Sequence, residues 1–215
     1  MKTGHFTGRL LTMLVAVAFL LLVPSVVPAD KATDDFSLAV NLFRKERWNL
    51  ASDTFGAFLK AYPQHPQASL ARLYYGLALN SLEDYGPAQK QFEKFITDSP
   101  NSRNIADARY RLAECSFYLK QYPTAITQLT DYLSRHPGHN LNNWASLMLG
   151  NSYNAVADWP RAESTLRALV AAPPEAQLMP DATFALARSL EGLTKKDESL
   201  RLYSQLAEQK VVVLF

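Results

Sequence analysis

The stretch YGPAQKQFEKFITDSP at residues 85–100 recurs in outline as YPTAITQLTDYLSRHP at 122–137 and WPRAESTLRALVAAPP at 159–174. WNLASDTFGAFLKAYP at 48–63 precedes these copies, and KDESLRLYSQLAEQKV at 196–211 follows them. The step is 37 residues. Ala51, Ala88, Ala125, Ala162 and Ser199 share one phase, and Phe55, Phe92, Leu129, Leu166 and Tyr203 stand four residues later. Pro63, Pro100, Pro137 and Pro174 close the units, Trp48, Tyr85, Tyr122, Trp159 and Lys196 open the quoted stretches, and Ala39, Gly76, Ala113, Gly150 and Ala187 sit twelve residues before the alanines. Small, bulky and proline positions in constant order at a fixed period indicate a stacked solenoid.

Each unit reads as two helices. Leu70, Leu73 and Leu77 recur at helical spacing, Asp84-Tyr85-Gly86-Pro87 interrupts, and Ala88, Phe92, Phe95 and Ile96 resume the stripe. Pro87, Pro123 and Pro160 suit the first turn of a second helix, where a missing N–H removes no bond. The later prolines stop that helix. Glycine or alanine at the 76 and 150 phase lets the paired helices approach closely. One helix pair cannot bury its apolar face alone, so the units must stack. The fold class expected is all-α. Units are placed at about 34–66, 67–103, 104–140, 141–177 and 178–210, followed by an apolar tail at 211–215.

Gly76, Ala88, Phe92 and Pro100, with Leu149, Gly150, Tyr153, Ala162 and Pro174, stand at the spacings of the tetratricopeptide repeat, and the chain resembles that family over residues 34–210. The usual repeat has 34 residues; the three extra ones here fall in the turns between units, around 101–105 and 138–142. The resemblance implies a right-handed superhelix whose first helices line a concave groove for extended peptides or helices. On that register the groove residues are Tyr74, Leu77 and Ser81 in the second unit and Arg111, Glu114 and Tyr118 in the third. Trp144, Met148, Asn151 and Asn154 follow in the fourth, and Arg188 in the fifth. Rings supply contact area and amides can bond a peptide backbone. Trp48 and Trp159 share a phase and are expected to pack.

The N-terminus carries Lys2, His5 and Arg9 before an apolar run at 10–23, then Val27-Pro28-Ala29 before Asp30. This is the pattern of a secretory signal peptide at 1–29 cleaved after Ala29. Its apolar core of 14 residues is shorter than the roughly 20 a spanning helix needs, with an uncleaved anchor as the alternative. Without residues 1–29 the chain has 20 basic and 20 acidic groups, and such balance lacks the basic stripe that nucleic-acid binding requires. Export adds a similarity to periplasmic repeat proteins of Gram-negative-type bacteria, the barrel-assembly lipoprotein and the Tol–Pal-linked coordinator among them. The lipid-bearing cysteine of the first and the N-terminal coiled coil of the second are missing from this sequence.

Chemistry-bearing residues are sparse. Cys115 is the single cysteine, which excludes an internal disulfide, and its register makes it a small core residue. His65 and His136 are read as occupants of equivalent turns, with His139 close to the latter, but no carboxylate or thiol stands at ligand spacing and no metal site is expected. There is no glycine-rich phosphate loop or nucleophile elbow. The expectation is a non-enzyme without cofactor that binds an envelope protein or peptide. It touches a membrane only if the leader stays attached, and its oligomeric state is left open. A module binding peptidoglycan or glycan through Tyr74, Tyr118 and Trp144 is the rival reading, with a membrane-tethered assembly factor as a third.

Overall fold

The computed structural model describes residues 31–172 and 177–212. Ten helices and no strand occur among the described residues, in five antiparallel pairs. The first helices are α1 (Lys31–Arg44), α3 (Ala68–Ser81), α5 (Ile105–Tyr118), α7 (Asn142–Ala155) and α9 (Met179–Gly192). The second helices are α2 (Trp48–Ala61), α4 (Tyr85–Asp98), α6 (Tyr122–Arg135), α8 (Trp159–Ala171) and α10 (Lys196–Val212). Every helix start is displaced by 37 residues from its predecessor in kind. α2, α4, α6 and α8 each pack on their own first helix and on the first helix of the next unit, and α10 packs on α9, so the helix pairs stack as a solenoid.

The size pattern has the expected steric meaning. Ala51, Ala88, Ala125 and Ala162 are fully buried, as are Phe55, Phe92, Leu129 and Leu166. A methyl at Gly76 would lie 2.8 Å from the Phe92 ring, and one at Gly150 would overlap Leu166. Gly192 is a further case, because Trp159 of the preceding unit lies across it. Trp48 meets Phe43 edge to face at 5.0 Å, so both tryptophans of this phase pack. Cys115 is buried in the third unit. The core runs as three adjoining apolar clusters along the stack.

The turns also repeat. Glu46, Glu83, Lys120, Ala157 and Thr194 each adopt a left-handed backbone with φ of 56–60°. Around them Arg47 N–H reaches the Leu42 carbonyl at 3.0 Å and Glu46 N–H that of Phe43 at 2.9 Å, the paired bonds of a Schellman ending. The same pattern closes every first helix, without the glycine that usually occupies this position. Between units, the side chains of His65, Ser102 and His139 accept from the N–H two residues on, at 3.2, 3.2 and 3.5 Å. The repeat therefore pairs His65 with His139, two periods later, and corrects the pairing of His65 with His136. α10 continues through Val212, so the first two residues of the apolar tail are helical, while 213–215 and the leader at 1–29 lie outside the described residues, as does Pro174. Among the described residues, no helix is long and apolar enough to cross a membrane.

Candidate partner-binding groove

Three rows of first-helix positions carry the expected groove residues other than Trp144 and Asn154. One row reads Ser37, Tyr74, Arg111, Met148, Ala185; the next reads Val40, Leu77, Glu114, Asn151, Arg188; the third reads Arg44, Ser81, Tyr118, Ala155, Gly192. Helical spacing of three or four residues puts the rows side by side on each helix. Their chemistry changes most at the third unit, where Arg111 and Glu114 replace apolar or neutral neighbours.

There Arg111 Nη1 donates to Glu114 Oε2 at 2.7 Å, and Asn80 Nδ2 of the preceding unit donates to the same oxygen at 3.0 Å. Cys115 Sγ in turn donates to Asn80 Oδ1 at 3.5 Å. Glu114 is 8% exposed, so its charge is held by these bonds rather than by water. Burial opposes the Arg111 charge, but Glu114 outweighs it and raises the guanidinium above its ordinary value. The guanidinium also stands 5.3 Å from the centre of the Tyr110 ring. Burial, reinforced by Glu114, pushes the Cys115 thiol up to about 12.

Beside the ion pair, Tyr118 lies parallel to Tyr85 of the preceding unit at 4.7 Å between centroids and 14° between planes. Phe117 meets Tyr118 edge to face at 5.5 Å. Tyr118 is 49% exposed, so the stack offers an open ring face, and burial and the nearby Glu114 and Glu83 charges raise its hydroxyl. In the second unit Tyr74 is half-buried, stacked on Phe55 at 5.8 Å and edged by Phe43 at 5.1 Å. Leu77 is half-buried and Ser81 exposed.

The fourth unit divides. Trp144 and Asn151 are half-buried, while Met148 and Asn154 are buried. Asn154 Nδ2 donates to the Ala185 carbonyl at 2.9 Å, stapling α7 to α9, and its Oδ1 is buried without a partner. Arg188 is exposed on α9. The structure thus gathers Arg111, Glu114 and Tyr118 in one place, sets Tyr74, Leu77 and Ser81 one unit before them, and leaves the fourth- and fifth-unit residues along the stack.

Asn80 and Tyr85 belong with this cluster although sequence reasoning passed over both. The signal for Asn80 is an amide in the row Phe43, Asn80, Phe117, Asn154, Glu191, where polar residues alternate with phenylalanines in the first four units. Tyr85 shares its row with Trp48 and Trp159, which pack, and nothing in the period distinguishes it. The histidines lie elsewhere: His139 Nδ1 is 2.7 Å from the Tyr132 hydroxyl, and its Nε2 is 3.8 Å from Asp107. Among the described residues no three His, Cys, Asp or Glu side chains are grouped as metal ligands.

Residues 74–210 match the family described as outer membrane lipoprotein, YfiO, and residues 36–102 match a tetratricopeptide repeat family. No curated protein matches the chain. Among solved structures, MamA from Desulfovibrio magneticus RS-1 is similar with a TM-score of 0.71 at 18% identity, over 85% of this chain and 97% of that one. A tetratricopeptide repeat protein from Parabacteroides merdae aligns with TM-score 0.68 and 14% identity, over 83% of this chain and 66% of its own. A kinesin light chain repeat protein of Podosopora anserina gives 0.65 and 14%, over 84% and 95%. At these identities the likeness shows the fold alone.

Proposed function

Because this chain belongs to the YfiO outer membrane lipoprotein family and is built of tetratricopeptide repeats, we propose that it is an exported, non-catalytic scaffold. It would hold a protein or peptide of the cell envelope in the groove formed by its first helices. The observation that carries this reading is the Arg111–Glu114 pair, braced by Asn80 and flanked by the exposed Tyr118–Tyr85 stack. Stacking does not require an ion pair at these positions, since the second unit uses Tyr74 and Leu77 there and the fourth Met148 and Asn151. A partly buried ion pair contributes little to stability by itself. Its value lies in a guanidinium already oriented, with donors left for a ligand oxygen, next to an aromatic surface. Tyr74, Leu77, Ser81, Asn151, Trp144 and Arg188 extend the contact along the stack, and Glu114, Met148 and Asn154 form its floor.

Arg111→Ala and Tyr118→Ala, alone and together, test the groove by cross-linking in the envelope and identification of the attached protein. Loss of one charge-assisted hydrogen bond should reduce capture about tenfold or more. Undiminished capture by a double variant with unchanged helical circular dichroism would remove this face from consideration. The leader at 1–29 is part of the same proposal: an exported protein that begins at Asp30 supports cleavage, and one that begins at Met1 or Lys2 supports an anchor. Lipid attachment through Cys115, the single cysteine, is not open to a folded chain that buries it.

One observation favours a second reading. A stacked tyrosine pair with a half-exposed face also suits the apolar side of a sugar ring. Co-sedimentation with purified peptidoglycan, lost in Tyr118→Ala while no protein is cross-linked, would select it.

A further inference from the structure

The turns that join one unit to the next can be compared with each other. His65, Ser102 and His139 occupy one position in three of these turns, and each accepts the N–H of the residue that caps the following first helix, Gln67, Asn104 or Leu141. Seven residues before them stand Phe58, Phe95 and Tyr132, all buried. The rings of Phe58 and His65 meet edge to face at 5.6 Å and 84°, and those of Tyr132 and His139 at 5.9 Å and 87°. The two histidine turns thus share one placement of the rings. What differs is the hydroxyl of Tyr132.

That hydroxyl lies 2.7 Å from His139 Nδ1. The Leu141 N–H, which can only donate, reaches the same nitrogen at 3.5 Å. Nδ1 therefore carries the lone pair, the neutral imidazole has its hydrogen on Nε2, and Tyr132 is the donor. Burial, with the Asp107 charge, pushes the Tyr132 phenol up to about 12, so it keeps its proton. An imidazolium has no lone pair to offer. Once His139 takes a second proton, Tyr132 can only accept, and its own hydrogen is left fully buried with no other acceptor among the described residues. The Leu141 N–H loses its partner at the same time. The surrounding charge does not offset this. Asp107 on α5 stands 3.8 Å from Nε2, but it is half exposed and water screens it. Asp131 on α6 is engaged by Arg109 and Arg135. His136 shares the turn and repels a second positive ring, and α7 brings no charged side chain.

We propose that Tyr132 and His139 form a proton-sensitive latch at the joint between the third and fourth units, closed while the imidazole is neutral and released when it is doubly protonated. The contribution of the latch is complete above the range in which imidazoles titrate and is lost as pH falls through it. What it holds is the start of α7. Asn142 N–H donates to the His139 carbonyl at 3.0 Å, and Asn142 Nδ2 donates to the His136 carbonyl at 3.1 Å, so the turn and the first residue of α7 are tied together. Trp144 follows in the same helical turn, which places one of the expected groove residues under the control of the latch.

Amide exchange on the full chain tests this at about pH 7.5 and about pH 5, read as protection corrected for the intrinsic pH dependence of exchange. Every chain compared carries His136→Gln, so that His139 is the one imidazole left in the turn. Residues 141–145 should lose protection about tenfold or more on acidification, while 104–108, which follow Ser102, keep theirs. Tyr132→Phe installs the ring that the chain already packs at 58 and 95, and it should reduce the loss. His139→Ser copies the turn at 102 and should abolish it. Four results would overturn the proposal. One is protection at 141–145 that does not change with pH; another is an equal loss at 104–108, which would make the effect a property of the whole stack. A third is a loss undiminished in Tyr132→Phe, and the last is a loss that survives His139→Ser.

Discussion

At Gly76 and Gly150 the backbone needs no unusual conformation; what matters is the absence of a side chain. Phe92 and Leu166 occupy the space a methyl would fill, so the glycines set how closely each helix pair can close. Gly150→Ala should destabilise by about 1–3 kcal/mol through overpacking, with a lower urea midpoint and an unchanged slope. The opposite effect is expected at Ala157, exposed and held at φ 59°. An L-residue there bears about 1–2 kcal/mol of left-handed strain, partly offset by the chain entropy that glycine brings to the unfolded state. Ala157→Gly should therefore stabilise by about 0.5–1 kcal/mol in the same titration. The first position was legible, because small residues recur at its phase. The second was not: Glu46, Glu83, Lys120, Ala157 and Thr194 share no property that marks a left-handed turn.

Between helices, short polar devices decide where one element stops and the next begins. His136 sits in the turn after α6 with its ring near Tyr132 and its Nε2 buried without a partner. Burial lowers its pKa, and Arg109 and the neighbouring His139 and Arg135 add to this against the opposing pull of Asp131. The unfolded chain then binds this proton more readily than the folded one, so stability is complete above about pH 6.5 and falls as pH drops from there towards the folded value. His136→Gln should flatten the dependence in that window, as read by thermal unfolding across pH 5–7. At the last junction Glu163 accepts from Lys195 at 2.8 Å and Arg167 at 2.7 Å, and those bonds hold its carboxyl below the ordinary range. Their stabilisation is present above the ordinary carboxylate pKa and is lost as pH falls through the folded value. Both cations are about half exposed, so solvent screening limits the effect of Glu163→Gln to about 1 kcal/mol or less. Amide exchange should nevertheless quicken in α9 and α10 before it does in α3 to α6.

Across the whole molecule, stability is a sum over neighbours rather than one global core. Phe92 belongs to the middle of the three apolar clusters and contributes to the link between the second and third units. Phe92→Ala should remove about 3–5 kcal/mol and, by weakening the centre of the stack, broaden urea unfolding into two steps. The Cys115 thiol in that cluster reports on the same event: it should resist alkylation at pH 8 in the native chain and react as the middle opens. The sequence by itself determined the period, the helical pairs, their stacking and the residues that fill or vacate the space between them. Those features depend on side-chain size at fixed local spacing, and size is written in each residue. Only the tertiary structure decided that Asn80 reaches Glu114 and that Tyr85 lies on Tyr118. These pairings span 34 and 33 residues, and both depend on how far each helix is displaced and turned relative to the next, a quantity that no repeat of 37 contains.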